Sequence, residues 1–161
     1  MLNKGYNIFM NKSKPHINIR KASSQDTQNI YIIEKECFST PWSENSILSA
    51  INNNHTYFVI AQENDKNIIG YAGLYFVQTE GYIYNIAVKK HFRKLGVGTR
   101  LVNSLKDFCI ENSMEFLSLE VRKSNTSAIK LYEKMNFKIL GTRKNFYSSP
   151  SEDAIIMTVY F

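Results

Sequence analysis

One segment, residues 86–100, constrains this chain more than any other part of it. It reads as an apolar strand end, a basic turn, two glycines one residue apart (Gly96 and Gly98) and the start of a helix. Glycine lets the backbone take unusual dihedral angles and come close to a ligand. The first N–H groups of a helix have no internal partner, and the helix dipole favours negative charge at that end. The segment therefore predicts a phosphate-binding turn between a strand and a helix.

The residues around the glycines separate this turn from two common phosphate motifs. A Walker A loop has Lys and then Ser or Thr after its last glycine, whereas Gly98 is followed by Thr99 and Arg100. A dinucleotide fingerprint has three glycines over six positions, and residues 93–98 contain two. Taken alone, these six residues also fit an ordinary glycine-containing turn.

The placement of charge agrees with an anionic ligand. The formal net charge is +6, and positive residues concentrate in two zones that contain no acidic residue. The zones are the phosphate turn, with Lys89, Lys90, Arg93, Lys94 and Arg100, and the N-terminal stretch, with Lys4, Lys12, Lys14, Arg20 and Lys21. A basic turn raises the association rate of a phosphate ligand. We expect residues 1–15 to be a flexible, solvated extension.

Length and composition narrow the class of protein. The 161 residues are enough for one domain with a buried core, which we expect over residues 16–161. No apolar run approaches the ~18 residues of a membrane span, and the N-terminus has no apolar signal-peptide core. Cys37 and Cys109 stand far apart without metal-ligand spacing, and the histidines are scattered. We therefore expect a cytoplasmic protein with reduced thiols, no metal site and no membrane partner.

Hydrophobic periodicity and turn residues predict seven strands and four helices. The strands are Ile17 to Arg20, Tyr57 to Gln62, Ile68 to Phe76, Tyr82 to Val88, Phe116 to Val121, Lys138 to Thr142 and Ala154 to Tyr160, the last two joined by a long polar loop. The first helix is Asp26 to Phe38, and the last is Thr126 to Met135. The second is capped by Ser43 and runs through Ile51, with Ile47, Leu48 and Ile51 facing inward. The third follows Gly98, with Leu101, Leu105, Phe108 and Cys109 facing inward. This order predicts an α/β fold, a mixed sheet flanked by helices. Such sheets bind ligands beyond the carboxyl ends of central strands, where the phosphate turn lies.

Glu120 places a carboxylate within an apolar strand. Alternation puts its side chain on the face of Phe116 and Ser118, whereas the intervening apolar residues point the other way. A carboxylate partly removed from water is suited to accept a proton near neutral pH. The alternative is a solvent-facing Glu, or one paired with Arg122 or Lys123.

Tyr132 lies on the apolar side of the helix that follows, with Ala128, Leu131 and Met135. A tyrosine in this position is ordinarily part of the core, with its hydroxyl reaching a partner. The same phenol can give a proton to a leaving thiolate. Asn125 precedes the helix, where Asn is a favourable N-cap, and a cap does not exclude a ligand contact.

These motifs together resemble one family, the GCN5-related N-acetyltransferases (GNAT). Arg93 to Gly98 resembles the family's Arg/Gln-x-x-Gly-x-Gly/Ala signature, which holds the pyrophosphate of acetyl-CoA. Other stretches resemble the branch that acetylates the N-terminal alanine of a small-subunit ribosomal protein; they are residues 34–42, 85–88, 119–137, 143–147 and 152–157. The motifs fall in the family's order across residues 17–160, so the resemblance implies the GNAT fold with a mostly antiparallel central sheet.

The resemblance also implies a mechanism and a site. Acetyl passes directly from acetyl-CoA to the α-amine of a ribosomal small-subunit protein, with Glu120 as general base and Tyr132 as general acid, and without a metal or a specific nucleic acid. The implied cofactor-binding groups are the main chains of Ile86, Ala87 and Val88 for the pantetheine arm, the N–H groups of Lys94, Leu95, Gly96, Val97, Gly98 and Thr99 for the pyrophosphate, and Asn125. Trp42, Phe146 and Tyr147 would grip the substrate peptide from two loops. The family often has Tyr-Tyr where this chain has Phe146-Tyr147, so one hydroxyl is lost.

Two other functions are compatible with the sequence. One is a GNAT acetyltransferase that acts on a protein lysine, another protein's N-terminus or a small amine. The other is a non-catalytic ribosome- or RNA-binding module, which the two basic zones and many aromatic residues favour. A covalent acetyl-cysteine at Cys37 is disfavoured, because no histidine lies at an informative spacing.

Overall fold

The computed structural model of the chain describes residues 16–64 and 66–161. The extension predicted over residues 1–15 and Asp65 of the predicted turn lie outside the described residues. The described residues form seven strands and four α-helices around one sheet. Each predicted strand and helix is present, and most bounds shift by only one or two residues.

The strands form a single sheet in the order β1-β2-β3-β4-β5-β7-β6. Their bounds are Ile17–Lys21 (β1), Thr56–Glu63 (β2), Asn67–Val77 (β3), Glu80–Val88 (β4), Phe116–Arg122 (β5), Lys138–Ser148 (β6) and Ser151–Tyr160 (β7). All neighbouring pairs are antiparallel except β4 and β5, which are parallel. The sheet is therefore mixed and mostly antiparallel, as the sequence and the family resemblance predict.

Two of the four helices begin at a side-chain cap. Their bounds are Thr27–Cys37 (α1), Glu44–Ile51 (α2), Val97–Glu111 (α3) and Thr126–Lys134 (α4). Ser43 caps α2 by accepting the Ser46 N–H at 3.1 Å, and Asn125 caps α4 by accepting the Ala128 N–H at 3.2 Å. Helix α3 begins after Gly96, whose backbone is left-handed. The predicted caps at Ser43 and Asn125 are confirmed.

The helices cover both faces of the sheet, so the protein has two apolar layers. Along β2, Phe58 and Ile60 pack with α1 and α2, whereas Val59 and Ala61 belong to the cluster that contains α3. Adjacent strand residues point to opposite faces, which explains this division. Leu48 of α2 is 37% exposed, so its predicted inward position is wrong, and Ile47 is the buried residue of that turn.

Strands β4 and β5 meet only at one end. Glu80–Tyr82 pairs with Phe116–Ser118, and beyond these residues the two strands are not hydrogen-bonded to each other. Strand β4 also carries an irregularity in its pairing with β3, where Gly73 lies opposite Asn85 and Leu74 opposite Ile83. An extra residue of this kind bends a strand. The carboxyl ends of β4 and β5 therefore part and leave a wedge-shaped opening in the sheet, which we call the wedge.

The last two strands are longer than the sequence predicted, and their added residues form a hairpin arm. A long polar loop was expected between Thr142 and Ala154, but β6 continues to Ser148 and β7 begins at Ser151, so a tight turn joins them. Nearly every β6 residue is exposed, because the strand lies at the edge of the sheet. An edge strand with polar side chains lacks the apolar alternation on which strand prediction depends.

Candidate active site

The predicted phosphate turn has the geometry of an anion site. Lys94 and Gly96 have positive φ angles of 63° and 81°, which turn the chain sharply into α3. The first helical hydrogen bond runs from the Arg100 N–H to the Gly96 carbonyl at 3.1 Å. The N–H groups of residues 97–99 precede that bond and point out of the helix end, where a helix attracts phosphate.

The basic side chains of this turn have two roles: some hold the turn in place, and others are exposed beside the anion site. Arg93 donates from Nε to the Val88 carbonyl at 3.0 Å, and Arg100 donates to the Ile17 carbonyl at 2.6 Å. These two side chains therefore fasten the turn to the sheet. Lys90 and Lys94 are exposed and add positive potential at the mouth of the turn.

The open edge of β4 supplies peptide groups to the wedge. Lys89 donates its N–H to the Ile69 carbonyl at 2.9 Å, and bonding residues alternate along an antiparallel pair. By this alternation Ala87 bonds back to β3, whereas Ile86 and Val88 direct their peptide groups away from it. The Val88 carbonyl already accepts Arg93, so Ile86 and the Val88 N–H are the groups that face the wedge. Of the three residues predicted to contact the pantetheine arm, Ile86 and Val88 thus have peptide groups that face the wedge, whereas those of Ala87 face β3.

Glu120 lies in β5, on the other side of the wedge, with a different partner from those considered in the sequence. Its side chain is 35% exposed, so it is only partly removed from water. Its ion-pair partner is Arg143 of β6, which donates to Oε1 at 2.8 Å, rather than Arg122 or Lys123. Because both side chains are exposed, this pair is weak, in the range of about 0–1 kcal/mol. An incoming cation can therefore replace the guanidinium at little cost.

Tyr132 of α4 is buried, as its position on the apolar side of the helix predicted. Burial, and to a lesser extent the neighbouring Tyr147, raises the pKa of Tyr132 above its ordinary value. Tyr147 in turn donates its hydroxyl hydrogen to the Glu120 main-chain carbonyl at 3.3 Å. Tyr147 therefore bonds to the main chain of one candidate catalytic residue and influences the pKa of the other.

Phe146 and Tyr147 lie in strand β6 rather than in a loop, which corrects the prediction for both. Their rings pack edge to face with centroids 5.1 Å apart. The Arg143 guanidinium lies 4.4 Å from the Phe146 ring centre, and that of Arg122 lies 4.2 Å from the Tyr147 ring centre. Arg122 also donates to the Ser149 carbonyl at 2.9 Å, so the tip of the hairpin is fixed to the end of β5.

Trp42 lies in the segment between α1 and α2, on the other side of the site. Its ring packs edge to face on Tyr84 with centroids 5.0 Å apart, and both rings line an open cavity of about 510 Å³ beside α2. Ser39 of the same segment donates its hydroxyl to the Ser149 carbonyl at 2.8 Å. The two segments predicted to grip a peptide therefore touch each other at this point.

Neither cysteine has the surroundings of a nucleophile. Burial raises the pKa of Cys37 and raises that of Cys109 to about 12. Both thiols are free, and Cys37 donates weakly to the Val88 carbonyl at 3.6 Å. Because the thiolate is the reactive form, these surroundings argue against an acetyl-cysteine route. Within residues 16–64 and 66–161, no group of three or more His, Cys, Asp or Glu side chains could hold a metal ion.

Comparison with known proteins agrees with this geometry. The chain matches the acetyltransferase (GNAT) family over residues 27–137. The chain belongs to the GNAT family. The ribosomal protein bS18-alanine N-acetyltransferase of Escherichia coli (strain K12) is 34% identical over 143 residues, which cover 88% of this chain and 95% of that protein. A Bacillus subtilis (strain 168) protein to which the same activity is assigned is 36% identical over 141 residues, 88% of this chain and 93% of that protein.

A solved structure extends the likeness to three dimensions. The crystal structure of the ribosomal-protein-S18-alanine N-acetyltransferase from Escherichia coli matches with a TM-score of 0.83 and 31% identity, over 90% of this chain and 94% of that one. The resemblance to the GNAT family and to its branch of ribosomal-protein alanine acetyltransferases is thereby confirmed. The chain is an acetyltransferase, which decides against a non-catalytic binding module.

Membership in the GNAT family identifies acetyl-CoA as the acetyl donor. The GNAT chain has groups that fit this donor: helix-end N–H groups beside exposed lysines for the phosphates, and outward peptide groups of β4 for an amide-bearing arm. A Cβ at Gly98 would lie 3.3 Å from Leu131 Cδ2, so a larger residue there would press on α4. Among the described helices, none is long and apolar enough to cross a membrane.

Sequence reasoning missed three residues of this GNAT site. Arg143 contacts the candidate base, Tyr84 packs on Trp42, and the buried Glu34 accepts the Trp42 N–H. Only Tyr84 had a local signal, as an aromatic residue in a predicted strand. The other two are recognised only when distant strands come together.

Proposed function

We propose that this chain transfers the acetyl group of acetyl-CoA to the α-amine of the N-terminal alanine of a small-subunit ribosomal protein, the homologue of bS18. One observation carries the proposal: relatives with this activity match nearly the whole chain. Ribosomal proteins are made in the cytoplasm, so the proposed substrate implies a cytoplasmic enzyme.

The proposed donor site follows from the main chain. The N–H groups of residues 94–99 would bind the pyrophosphate, the outward peptide groups of Ile86 and Val88 would hold the pantetheine arm, and Asn125 would contact coenzyme A from the start of α4. When bound, acetyl-CoA supplies an activated acyl carbon and a thiol leaving group. Holding the amine and the thioester together would account for much of the rate.

Glu120 is the proposed general base. An ammonium group has no lone pair, so a proton must leave before the amine can attack. An N-terminal amine has a pKa of ~7.7–8.0 against ~10.4 for lysine, so it needs less help from a base. The incoming ammonium would replace the Arg143 guanidinium at the Glu120 carboxylate and give up its proton there, directly or through water.

Tyr132 is the proposed general acid. Its raised pKa keeps the phenol protonated throughout the neutral range, so a proton is available when the sulfur departs. The Tyr147 hydroxyl donates to the main-chain carbonyl of the proposed base and so fixes the approach of β6 to β5. Trp42, Phe146 and Tyr147 would enclose the first residues of the substrate.

The test of this function is a mass measurement. The purified chain is incubated with acetyl-CoA and the unacetylated ribosomal protein, and intact mass with fragmentation then locates the acetyl group. One acetyl on the α-amine supports the proposal. Modification only of lysine side chains, or only of other N-terminal sequences or amines in a parallel panel, would replace it with the corresponding alternative activity.

Two substitutions test the assigned roles. Glu120→Gln and Tyr132→Phe should each lower kcat by about 10²-fold or more, which is typical for loss of general base or acid catalysis, and should leave acetyl-CoA affinity intact. Titration calorimetry with coenzyme A checks the binding separately from the rate. Full activity in both variants would contradict both roles.

A further inference from the structure

A fully buried carboxyl group lies behind the site and has no role in the proposed reaction. Glu34, in the last turn of α1, has 0% exposure and takes part in none of the ion pairs among residues 16–64 and 66–161. It accepts three hydrogen bonds instead: from the Trp42 N–H at 2.8 Å, from Asn85 Nδ2 at 2.9 Å and from the Tyr71 hydroxyl. Burial of a carboxyl group without such donors is strongly unfavourable, so its donors must stay in place.

The three donors come from three separate parts of the fold. Trp42 belongs to the segment between α1 and α2, Tyr71 to β3, and Asn85 to β4. Tyr71 is itself buried, and burial followed by the Glu34 carboxylate raises the pKa of that tyrosine well above its ordinary value. Glu34 therefore joins a surface segment to the two central strands through one side chain.

The Trp42 bond fixes one wall of the substrate site. The indole packs on Tyr84 and lines the cavity beside α2, so its position depends on where its own main chain is held. The Glu34 Oε2 contact to the Trp42 N–H is the side-chain bond that holds this main chain.

The Asn85 bond fixes the edge of the wedge. Asn85 lies at the irregularity in β4, directly after Tyr84 and directly before Ile86. Its side-chain amide donates to Glu34 Oε1, the other oxygen of the same carboxyl group. The two oxygens of Glu34 thus hold the peptide wall and the bent strand at a fixed separation.

We propose that Glu34 is a positioning residue, which holds the Trp42 segment against the bend of β4 so that the peptide amine is directed into the wedge. This inference rests on the proposed function for its substrate. A glutamine cannot replace the carboxyl group, because it has one acceptor oxygen and a nitrogen that only donates. Oε1 accepts from both Tyr71 and Asn85, whereas Oε2 accepts only from Trp42, so the amide nitrogen would take the place of Oε2 and the Trp42 bond would be lost.

The test compares Glu34→Gln with Tyr71→Phe. Glu34→Gln keeps the shape of the side chain and should raise the KM for an alanine-terminal peptide roughly tenfold, the effect of losing one hydrogen bond to a charged group. The KM for acetyl-CoA should change far less, since the Asn85 bond that fixes the β4 edge is kept and the phosphate turn is not bonded to Glu34. Tyr71→Phe removes a donor to the same carboxyl group but leaves both walls attached, so it should lower the melting temperature without the rise in peptide KM.

A second readout needs no substrate. Trp42 is the only tryptophan of the chain, so intrinsic fluorescence reports on its segment alone. Acrylamide should quench Glu34→Gln more strongly than the wild type or Tyr71→Phe, with unchanged far-ultraviolet circular dichroism. Equal quenching in all three proteins, or parallel rises in both KM values of Glu34→Gln, would overturn the positioning role. Failure of the wild type to acetylate the peptide would instead remove the proposed function and leave the fluorescence test of Glu34 valid.

Discussion

Gly96→Ala tests whether the phosphate turn depends on a left-handed backbone. Gly96 has φ 81° and ψ 4°, and a Cβ built at this position meets no atom within 4 Å. The added methyl group therefore clashes with nothing, and its cost is conformational. For an L-residue in the left-handed region that cost is about 1–2 kcal/mol.

Gly141→Ala is the matched control. A Cβ at Gly141 also meets no atom within 4 Å, and its φ lies outside the left-handed region. Each Gly-to-Ala change reduces the freedom of the unfolded chain by a similar amount, roughly 0.4–1 kcal/mol, so this gain cancels between the two variants. The free energy of unfolding of Gly96→Ala should therefore be about 1–2 kcal/mol below that of Gly141→Ala. For a chain of this size the melting temperatures should differ by about 2–8 °C.

Thermal unfolding and steady-state kinetics together check this reasoning. If the turn moves to relieve the strain, the melting temperatures converge, but the N–H groups of residues 97–99 lose their direction. The KM for acetyl-CoA should then rise about 5- to 30-fold in Gly96→Ala alone, the equivalent of the same 1–2 kcal/mol. Equal melting temperatures and equal KM values in the two variants would refute the argument.

Two further predictions concern stability. Ser43→Ala removes the cap of α2 and should lower the free energy of unfolding by about 1 kcal/mol, or the melting temperature by about 2–4 °C. Ser43→Thr should keep most of this stability, because threonine also caps helices. Equal losses in the two variants would contradict the cap. Arg20 donates to Asp26 at 2.8 Å and holds the pKa of that carboxyl group below its ordinary value. The ion pair therefore stabilises the fold above the ordinary Asp pKa of about 3.9, and its contribution is lost as pH falls through the lowered folded-state value. By urea unfolding, Asp26→Asn should be less stable than the wild type at neutral pH and approach it at strongly acidic pH, and a constant difference would count against this account.

The parts of the fold that could be predicted are those with a local signal. The apolar stripe of α3 and the strands β2 to β5 have strong periodicity, and their bounds came within a few residues of those observed. The caps at Ser43 and Asn125 follow from short-range chemistry, so they were also predictable. The arm of β6 has neither signal, because an exposed edge strand needs no apolar face and takes its hydrogen bonds from β7.

The ion pairs and hydrogen bonds of the site could not be predicted, because the side chains that form them are distant in the sequence and meet only in the folded sheet. Glu120 was expected to be partly removed from water or, alternatively, to pair with Arg122 or Lys123, but its partner Arg143 lies in the part of β6 that was predicted as a loop. Glu34 looks like an ordinary helix carboxylate in the sequence. Its burial becomes favourable only when Trp42, Tyr71 and Asn85 supply donors from distant segments.

The parting of β4 and β5 explains why one site draws on such distant segments. Strand β5 stays paired with β7 as far as Arg122 opposite Ala154, and β4 stays paired with β3 as far as Val88 opposite Gly70. Each side of the wedge therefore has a rigid neighbour behind it and an open edge in front. A ligand that enters meets peptide groups on one strand and the Glu120 carboxylate on the other. Movement at the bend of β4 would change the distance between these two edges. The buried hydrogen bonds of Glu34 resist that movement. Because these bonds lie outside the wedge, they occupy none of the space that the substrates need.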